Sequence, residues 1–462
     1  MPMRSELFRP RASSQRSTVS LGTDAATPPP RTSTTRGHRT GSLHVDIVMN
    51  RLGASVLPFD EAQSLDAWLP MSSGAADAEA GLVFALARAR PPRHGLGDFL
   101  RSVTNWPHLL QLASDENALI AIRSALKHGD GREAVPTYID RHLAILSLDR
   151  EFRMRQLQKR LEQLLMVLNR AQIDVLLLKG SALAATVYES FTARPMRDID
   201  LLVRPERADE ARALMLGLGW AVDPELPGDR SYGTHHHLPP LRHQVASGLR
   251  LEIHRSILPA GHPFRFTEDE IWGGARPTKV GAAHALVMQP SHHAVHVAIH
   301  FAWSHMLKFG AWNAIRDLDA LSSAKLLDWN DFAETGERWG ASGCCYWTIT
   351  LGRILSGLPT PSAIARELRP RLPEIARRSL ARHFVNGVAR SGPVCPSARL
   401  DRALWTLAMQ PARDAHGDVR PWLVSLDLLF AFREKARDTE EASASSFLLM
   451  RRSGRYISEL LA

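Results

Sequence analysis

The chain has 462 residues, 44% of them apolar and 23% charged, enough for more than one ordinary core and typical of a soluble globular protein. No apolar run approaches the ~20 residues that span a bilayer, no apolar signal-peptide segment opens the chain, and Cys344, Cys345 and Cys395 make no disulfide framework, so the expected location is the reducing cytosol, without membrane association. The formal charge of +9 is uneven: residues 1–40 carry seven Arg against Glu6 and Asp24, a net +5, which leaves only +4 for the rest and no strong nucleic-acid signature.

Residues 1–44, rich in Ser, Thr, Pro and Arg and without apolar periodicity, read as a disordered basic tail. An alternative start at Met49 would remove it altogether. Residues 45–170 read as a helical region. "DEAQSLDAWL", "AEAGLVFALARA", "ENALIAIRSALK" and the long "TYIDRHLAILSLDREFRMRQLQKRLEQLLMVLNRA" all space apolar residues by three and four. In the last, Leu157, Leu161, Leu164, Leu165 and Leu168 form one stripe. Over 171–275 the texture changes to a small α/β unit: "IDVLLLK" as a strand, "SALAATVYES" as a helix capped by Ser181, and "DIDLLV" as a second strand. "RADEARALMLGLG" follows as a helix, and "LRLEIHRSI" alternates as a third, half-buried strand. Residues 276–462 read as a second helical region, from about Ala282 onwards.

The chemistry concentrates in the α/β unit. Residues i and i+2 of a strand share a face, so Asp198 and Asp200 project together, roughly 6.6 Å apart, while Ile199 and Leu201 face a core. Two such carboxylates repel unless a cation lies between them, and a divalent metal with hard oxygen ligands suits that place. Two metals about 3.5–4 Å apart would align an in-line phosphoryl displacement. Glu252, on the same strand face as His254, offers a third carboxylate. Gly180-Ser181, between a strand end and a helix start, would offer backbone N–H groups and a hydroxyl to a phosphate. Lys179, Arg194 and Arg197 could neutralise its charge.

Taken in order, "LKGSALAATVY", "ARPMRDIDLLV" and "LEIH" resemble the nucleotidyltransferases of the DNA polymerase β type, and among them an uncharacterised bacterial branch with an "LKG…RDIDLLV" core. The resemblance is clearest over 171–256. It implies an α+β fold: a polymerase β-like core, a small mixed sheet with helices, flanked by mainly helical regions. It implies an enzyme that moves a nucleoside monophosphate from an NTP to an acceptor hydroxyl and releases pyrophosphate. Gly180 and Ser181 resemble the triphosphate grip. Asp198, Asp200 and Glu252 resemble the ligands of two Mg²⁺ (or Mn²⁺) ions, with Glu252 nearest the attacking hydroxyl. Two departures stand out: Glu252 replaces a commoner Asp, and sixteen residues separate Ser181 from Asp198. The acceptor, whether small molecule, protein or RNA, has no readable code. The alternatives are an inactive nucleotide- or partner-binding module on the same fold, or a toxin-like enzyme modifying tRNA or protein.

Histidines supply the remaining candidates. His235-His236-His237 resembles a metal cluster, but a regular strand would point alternate side chains apart. Their position just before the Glu252 strand suggests a solvated loop at the cleft rim, with His237 as the one candidate among them to face substrate. His292, His296 and His300 fall on one helical face and, with Asp317 or Asp319, could bind Zn²⁺ or Fe²⁺. The plainer expectation is that they pack against the neighbouring helix or line the cleft, with His300 and Asp317 facing substrate. Cys344-Cys345 reads as packing.

Overall fold

The structure, a computed structural model, describes residues 78–88, 96–222, 232, 235–244, 249–390, 392–409 and 440–461. The expected basic tail, Met49 and the expected helix at 60–69 lie outside the described residues. The first described helices are α1 (Ala78–Ala85), α2 (Leu96–Ser102), α3 (Trp106–Asp115) and α4 (Leu119–His128). Then comes α5, a single 34-residue helix over Thr137–Arg170 that begins just after Pro136. Its five-leucine stripe is buried throughout, as the spacing predicts.

Seven strands form one mixed sheet: β1 (Leu176–Leu177), β2 (Asp198–Leu202), β3 (Trp220–Val222), β4 (Leu241–His243), β5 (Arg250–His254), β6 (Arg276–Val280) and β7 (Ala283–Val287). Their order across the sheet is β3-β4-β5-β2-β1-β7-β6. β2 runs parallel to β5 and antiparallel to β1, while β1 runs parallel to β7. Helix α6 (Lys179–Thr186) follows β1, and α7 (Ala208–Gly217) follows β2. After the short α8 (Glu268–Gly273) and the β6–β7 hairpin, α9 (Pro290–Ile299) runs into a π-helical turn at His300–Ser304. Beyond it lie α10 (Ala311–Ser323), α11 (Trp329–Arg338), α12 (Ser342–Ser356), α13 (Ser362–Glu367), α14 (Glu374–Ala389), α15 (Ala398–Ala408) and α16 (Glu440–Leu461).

Alternation in β2 sorts its residues between two sides. Ile199 and Leu201 join Leu157, Leu161, Leu164, Leu165 and Leu168 of α5 in one apolar cluster, which covers one face of the sheet. The opposite face meets the helical region, so the carboxylates at 198 and 200 point towards a seam between sheet and helices. This mixed sheet embedded in helices is the α+β architecture expected from the sequence.

Two local readings need correction. Ser181 is not a helix cap: α6 begins at Lys179, with Leu178 as its cap residue and no capping side chain. The chain does not turn helical at 276–282 either, because β6 and β7 form a hairpin that extends the sheet. The signal was weak there: β6 is an edge strand with exposed side chains and Pro277, and proline is tolerated at a sheet edge because no partner needs its missing N–H.

The N-terminal helices dock through Trp312 on α10. Its side chain is fully buried, its Nε1–H donates to Val83 O at 3.0 Å, and its backbone N–H donates to Glu116 Oε2 at 3.0 Å. Trp312→Ala leaves a large cavity and an unpaired carbonyl, and should lower unfolding free energy by about 3–5 kcal/mol. A urea midpoint that falls accordingly, at unchanged slope, checks this.

Candidate active site

β2 and β5 bring the acidic residues together. In their parallel register Asp200 stands opposite Glu252, and Leu202 opposite His254. His254 therefore lies one pleat from both carboxylates. Its Nε2 is 3.0 Å from Asp200 Oδ1 and 3.5 Å from Glu252 Oε2. Lys179 Nζ approaches the same Asp200 oxygen at 2.9 Å. The Lys179 backbone has φ 48°, a left-handed value costing an L-residue roughly 1–2 kcal/mol. The turn is tied down by the Leu178 N–H, which donates to Asp200 O at 3.1 Å.

The electrostatics follow from burial with an incomplete set of counter-charges. Against the cost of burial, Lys179 and the His254 hydrogen bond hold Asp200 well below the usual carboxylate range. Glu252 is also lowered against burial, chiefly by its hydrogen bond from His254. Asp198 has no such donor, and burial together with the neighbouring Asp200 charge pushes it up to about 7. Against burial, Asp200 raises Lys179, and hydrogen bonds to Asp200 and Glu252 raise His254.

These groups open onto a cavity of about 870 Å³ whose wall includes Lys179, Gly180, Arg197, Asp198, Asp200 and Glu252. The far wall is helical: His300, Trp303, His305 and Phe309 around the π-helical turn, then Arg402 and Trp405 from α15. Asp115 and Asn117, at the end of α3, complete it.

Several expected site residues lie elsewhere or are already engaged. The Ser181 hydroxyl is buried against Met196 Sδ, 3.6 Å away, and is not part of the cavity wall. Gly180 is on the wall, and a Cβ there would come within 3.3 Å of Met196 Cβ, so glycine serves a close crossing of the chain. Arg194 reaches the cavity, but its Nε and Nη2 both donate to the Asp317 carboxylate, at 2.6 and 2.7 Å. Asp317 also lies on the cavity wall and accepts from the Tyr188 hydroxyl at 2.7 Å, so its carboxylate is engaged by Arg194 and Tyr188. Arg197 remains exposed, with Nη2 3.4 Å from Asp115 O. His254 is fully buried behind the carboxylates and does not face the cavity. At the rim, His236 rather than His237 lines the wall. His237 is buried, its Nδ1–H donating to Leu238 O at 2.7 Å. His300 lines the wall, while His292 turns away to Gln289 and Glu270. His296 is buried with neither ring nitrogen partnered among the described residues. The alternative of a metal site on the His292/His296/His300 face has no donor cluster behind it among the described residues.

Which residues could hold a divalent ion is decided by donor chemistry. Asp198, Asp200 and Glu252 are hard oxygen donors on one cavity wall, and the raised Asp198 marks negative charge that Lys179 and His254 leave uncompensated. Donor atoms of Asp200, Glu252 and His254 lie within 4.8 Å of one another. The residues present therefore fit a hard divalent cation.

The α+β architecture, a mixed sheet flanked by helices, is consistent with a nucleotidyltransferase fold. The chain belongs to a family of uncharacterised nucleotidyltransferases, whose model matches residues 102–356. That span covers α3 to α12, and so the acidic strands and much of the helical far wall. Membership supports nucleotidyl transfer as the general activity and implies an NTP as substrate. No curated protein matches the chain. Among the described residues, no helix is long and apolar enough to cross a membrane.

The Arg194–Asp317 pair joins the sheet side of the cavity to α10 while almost wholly buried. Asp317→Ala strands a buried guanidinium and should cost about 3–5 kcal/mol of stability. The apolar double replacement Arg194→Met/Asp317→Leu should recover much of that loss. Denaturant midpoints of the two variants check it, and equal losses would contradict this account.

Proposed function

We propose that the chain transfers a nucleoside monophosphate from a Mg²⁺- or Mn²⁺-bound NTP to an acceptor hydroxyl, with pyrophosphate as the leaving group. One observation carries this reading: Asp200 stands opposite Glu252 on parallel strands, with Asp198 two residues along, all on the wall of one cavity. Asp198, Asp200 and Glu252 would hold the metal. Bound there, it would polarise the phosphoryl oxygens and ease ionisation of the attacking hydroxyl.

The other roles belong to the chain itself. Glu252 is the carboxylate placed to accept the hydroxyl proton as the acceptor oxygen bonds to the α-phosphorus. The bond from that phosphorus to the β-bridging oxygen breaks, and pyrophosphate carries the electron pair away. Lys179 and the exposed Arg197 supply positive charge on the phosphate side, and Gly180 keeps that wall low. His254 is a positioning residue: it orients Asp200 and Glu252 from behind and touches neither substrate. The far wall, with His300, Trp303 and Trp405, is where a base or an acceptor body would rest. A small molecule, a protein hydroxyl or an RNA end remains the acceptor class to be tested.

The test incubates the purified chain, a divalent metal and cell extract with each NTP, labelled at either the α- or the γ-phosphate. Label should pass to an acceptor only from the α position. In Asp198→Ala/Asp200→Ala the rate should fall by about 1,000-fold or more, the equivalent of several kcal/mol of transition-state stabilisation. Transfer of the γ-label, or α-transfer that survives the double variant, would sink the reading.

A further inference from the structure

The three consecutive histidines are not on a regular strand. Residues 235 and 236 form a bend, and only His237 touches the sheet, through a single bridge to His254. The alternation that would have pointed the rings apart is therefore absent. Ring centroids lie 4.4 Å apart for His235 and His236, 4.1 Å for His235 and His237, and 4.8 Å for His236 and His237. One nitrogen from each ring lies within 4.8 Å of the other two.

The bend is held by backbone bonds that do not engage the rings. His236 O accepts from the Arg255 and Ser256 N–H groups at 2.7 and 3.2 Å, and Leu238 N–H donates to Ile253 O at 2.8 Å. The rings themselves are short of partners. His235 Nδ1 and His236 Nδ1 are buried without a hydrogen bond among the described residues. His237 Nδ1 is taken by a carbonyl, which fixes the proton there and leaves the Nε2 lone pair free. A backbone carbonyl behind a ring nitrogen is the usual support for a metal-binding histidine. Buried polar nitrogens without partners call for a missing group, and converging imidazoles select a borderline transition metal over Mg²⁺.

We propose that His235, His236 and His237 form a three-imidazole site for a transition-metal ion of the Zn²⁺ class, at the rim of the cavity and beside the carboxylate wall. Nitrogens around a tetrahedral ion at about 2.0–2.1 Å stand roughly 3.3 Å apart. One nitrogen of each ring already lies within 4.8 Å of the other two, and metal binding would draw the half-buried rings of His235 and His236 inward to that spacing. Glu252 Oε2, 3.9 Å from His237 Nε2, or a water, would take the fourth position. The site does not depend on the catalytic reading above. The other mixed cluster, His383–Cys395–Asp401, is already occupied internally. Lys308 holds Asp401, while Asp401 and the Tyr456 hydroxyl engage the two ring nitrogens of His383.

The experiment strips the full-length chain with a chelator and titrates it with Zn²⁺ against a chromogenic competitor, in excess Mg²⁺. One equivalent of Zn²⁺ should bind. His235→Ala/His236→Ala should weaken binding by about 100-fold or more, since losing direct ligands exceeds the cost of losing their supports. Asp198→Asn and Cys395→Ser should leave it in place. A wild-type chain that takes up no Zn²⁺, a histidine variant that binds as tightly as wild type, or loss in Cys395→Ser overturns the site. Circular dichroism monitors folding. Should the alanine pair not fold, Co²⁺ added to the wild-type chain decides: a tetrahedral visible band with nitrogen ligation supports the site, and a weak octahedral spectrum overturns it.

Discussion

Lys179 Nζ and His254 Nε2 share one oxygen of Asp200, at 2.9 and 3.0 Å, on a central strand whose other face is closed by the leucines of α5. A carboxylate in that place has little water to solvate it, so its charge persists only if donors reach it. Both donors are delivered by backbone. The left-handed turn at Lys179 folds its side chain back over β2, and the parallel β2–β5 register sets His254 beside Asp200 and Glu252. The conformational cost at Lys179 is thus offset by the charge it neutralises. A slip of one residue in β5 would send Glu252 and His254 to the leucine side and leave Asp200 with Lys179 alone.

The cavity depends on a second pairing of the same kind. Arg194 follows α6 on the sheet side, and Asp317 sits on α10 in the helical region. Their bidentate bond, with the Tyr188 hydroxyl as a further donor, fixes how far the helices stand from the carboxylate wall. Trp312, one turn earlier on α10, carries the N-terminal helices to the same place through Val83 and Glu116. One helix therefore positions two parts of the wall, the Arg194 side and the Asp115–Asn117 corner. The π-helical turn widens the helix where His300 and Trp303 meet the cavity, a common use of such turns near functional sites.

Residues governed by local periodicity were legible from the sequence. Alternation put Asp198 and Asp200 on one face of β2 and Glu252 on the matching face of β5, and spacing by three and four marked the stripe of α5. What escaped was set by contacts across the chain. Ser181 reads as a cap from its neighbours, but α6 starts two residues earlier because the turn at Lys179 is pulled to Asp200. Arg194 reads as a free cation until Asp317, 123 residues away, claims it. Asp115, Asn117, Arg402 and Trp405 carry no motif, and only the packing of distant helices brings them to the wall. The arrangement of the histidine triplet has a related cause: alternation applies only within a strand, and backbone bonds from Arg255 and Ser256, just past β5, to His236 O hold a bend there instead.

The bend and the acidic wall meet at Glu252. His254 binds it from behind, and His237 Nε2 lies 3.9 Å from the same Oε2. Hard oxygen donors face the cavity and nitrogen donors gather at its rim, with one carboxylate between them. Lys179 and His254 satisfy Asp200 and Glu252 but leave Asp198 raised to about 7, so the unmet demand for positive charge falls on the cavity side. Drawn into the imidazole cluster, Glu252 would be lost to the cavity, and Asp198 and Asp200 would face a hard cation with one donor fewer. Drawn to the cavity, it would leave the three imidazoles to close around their ion with water. A glutamate at this position carries its carboxylate one methylene further from the strand than an aspartate would, and Glu252 Oε2 sits 3.5 Å from His254 Nε2 and 3.9 Å from His237 Nε2.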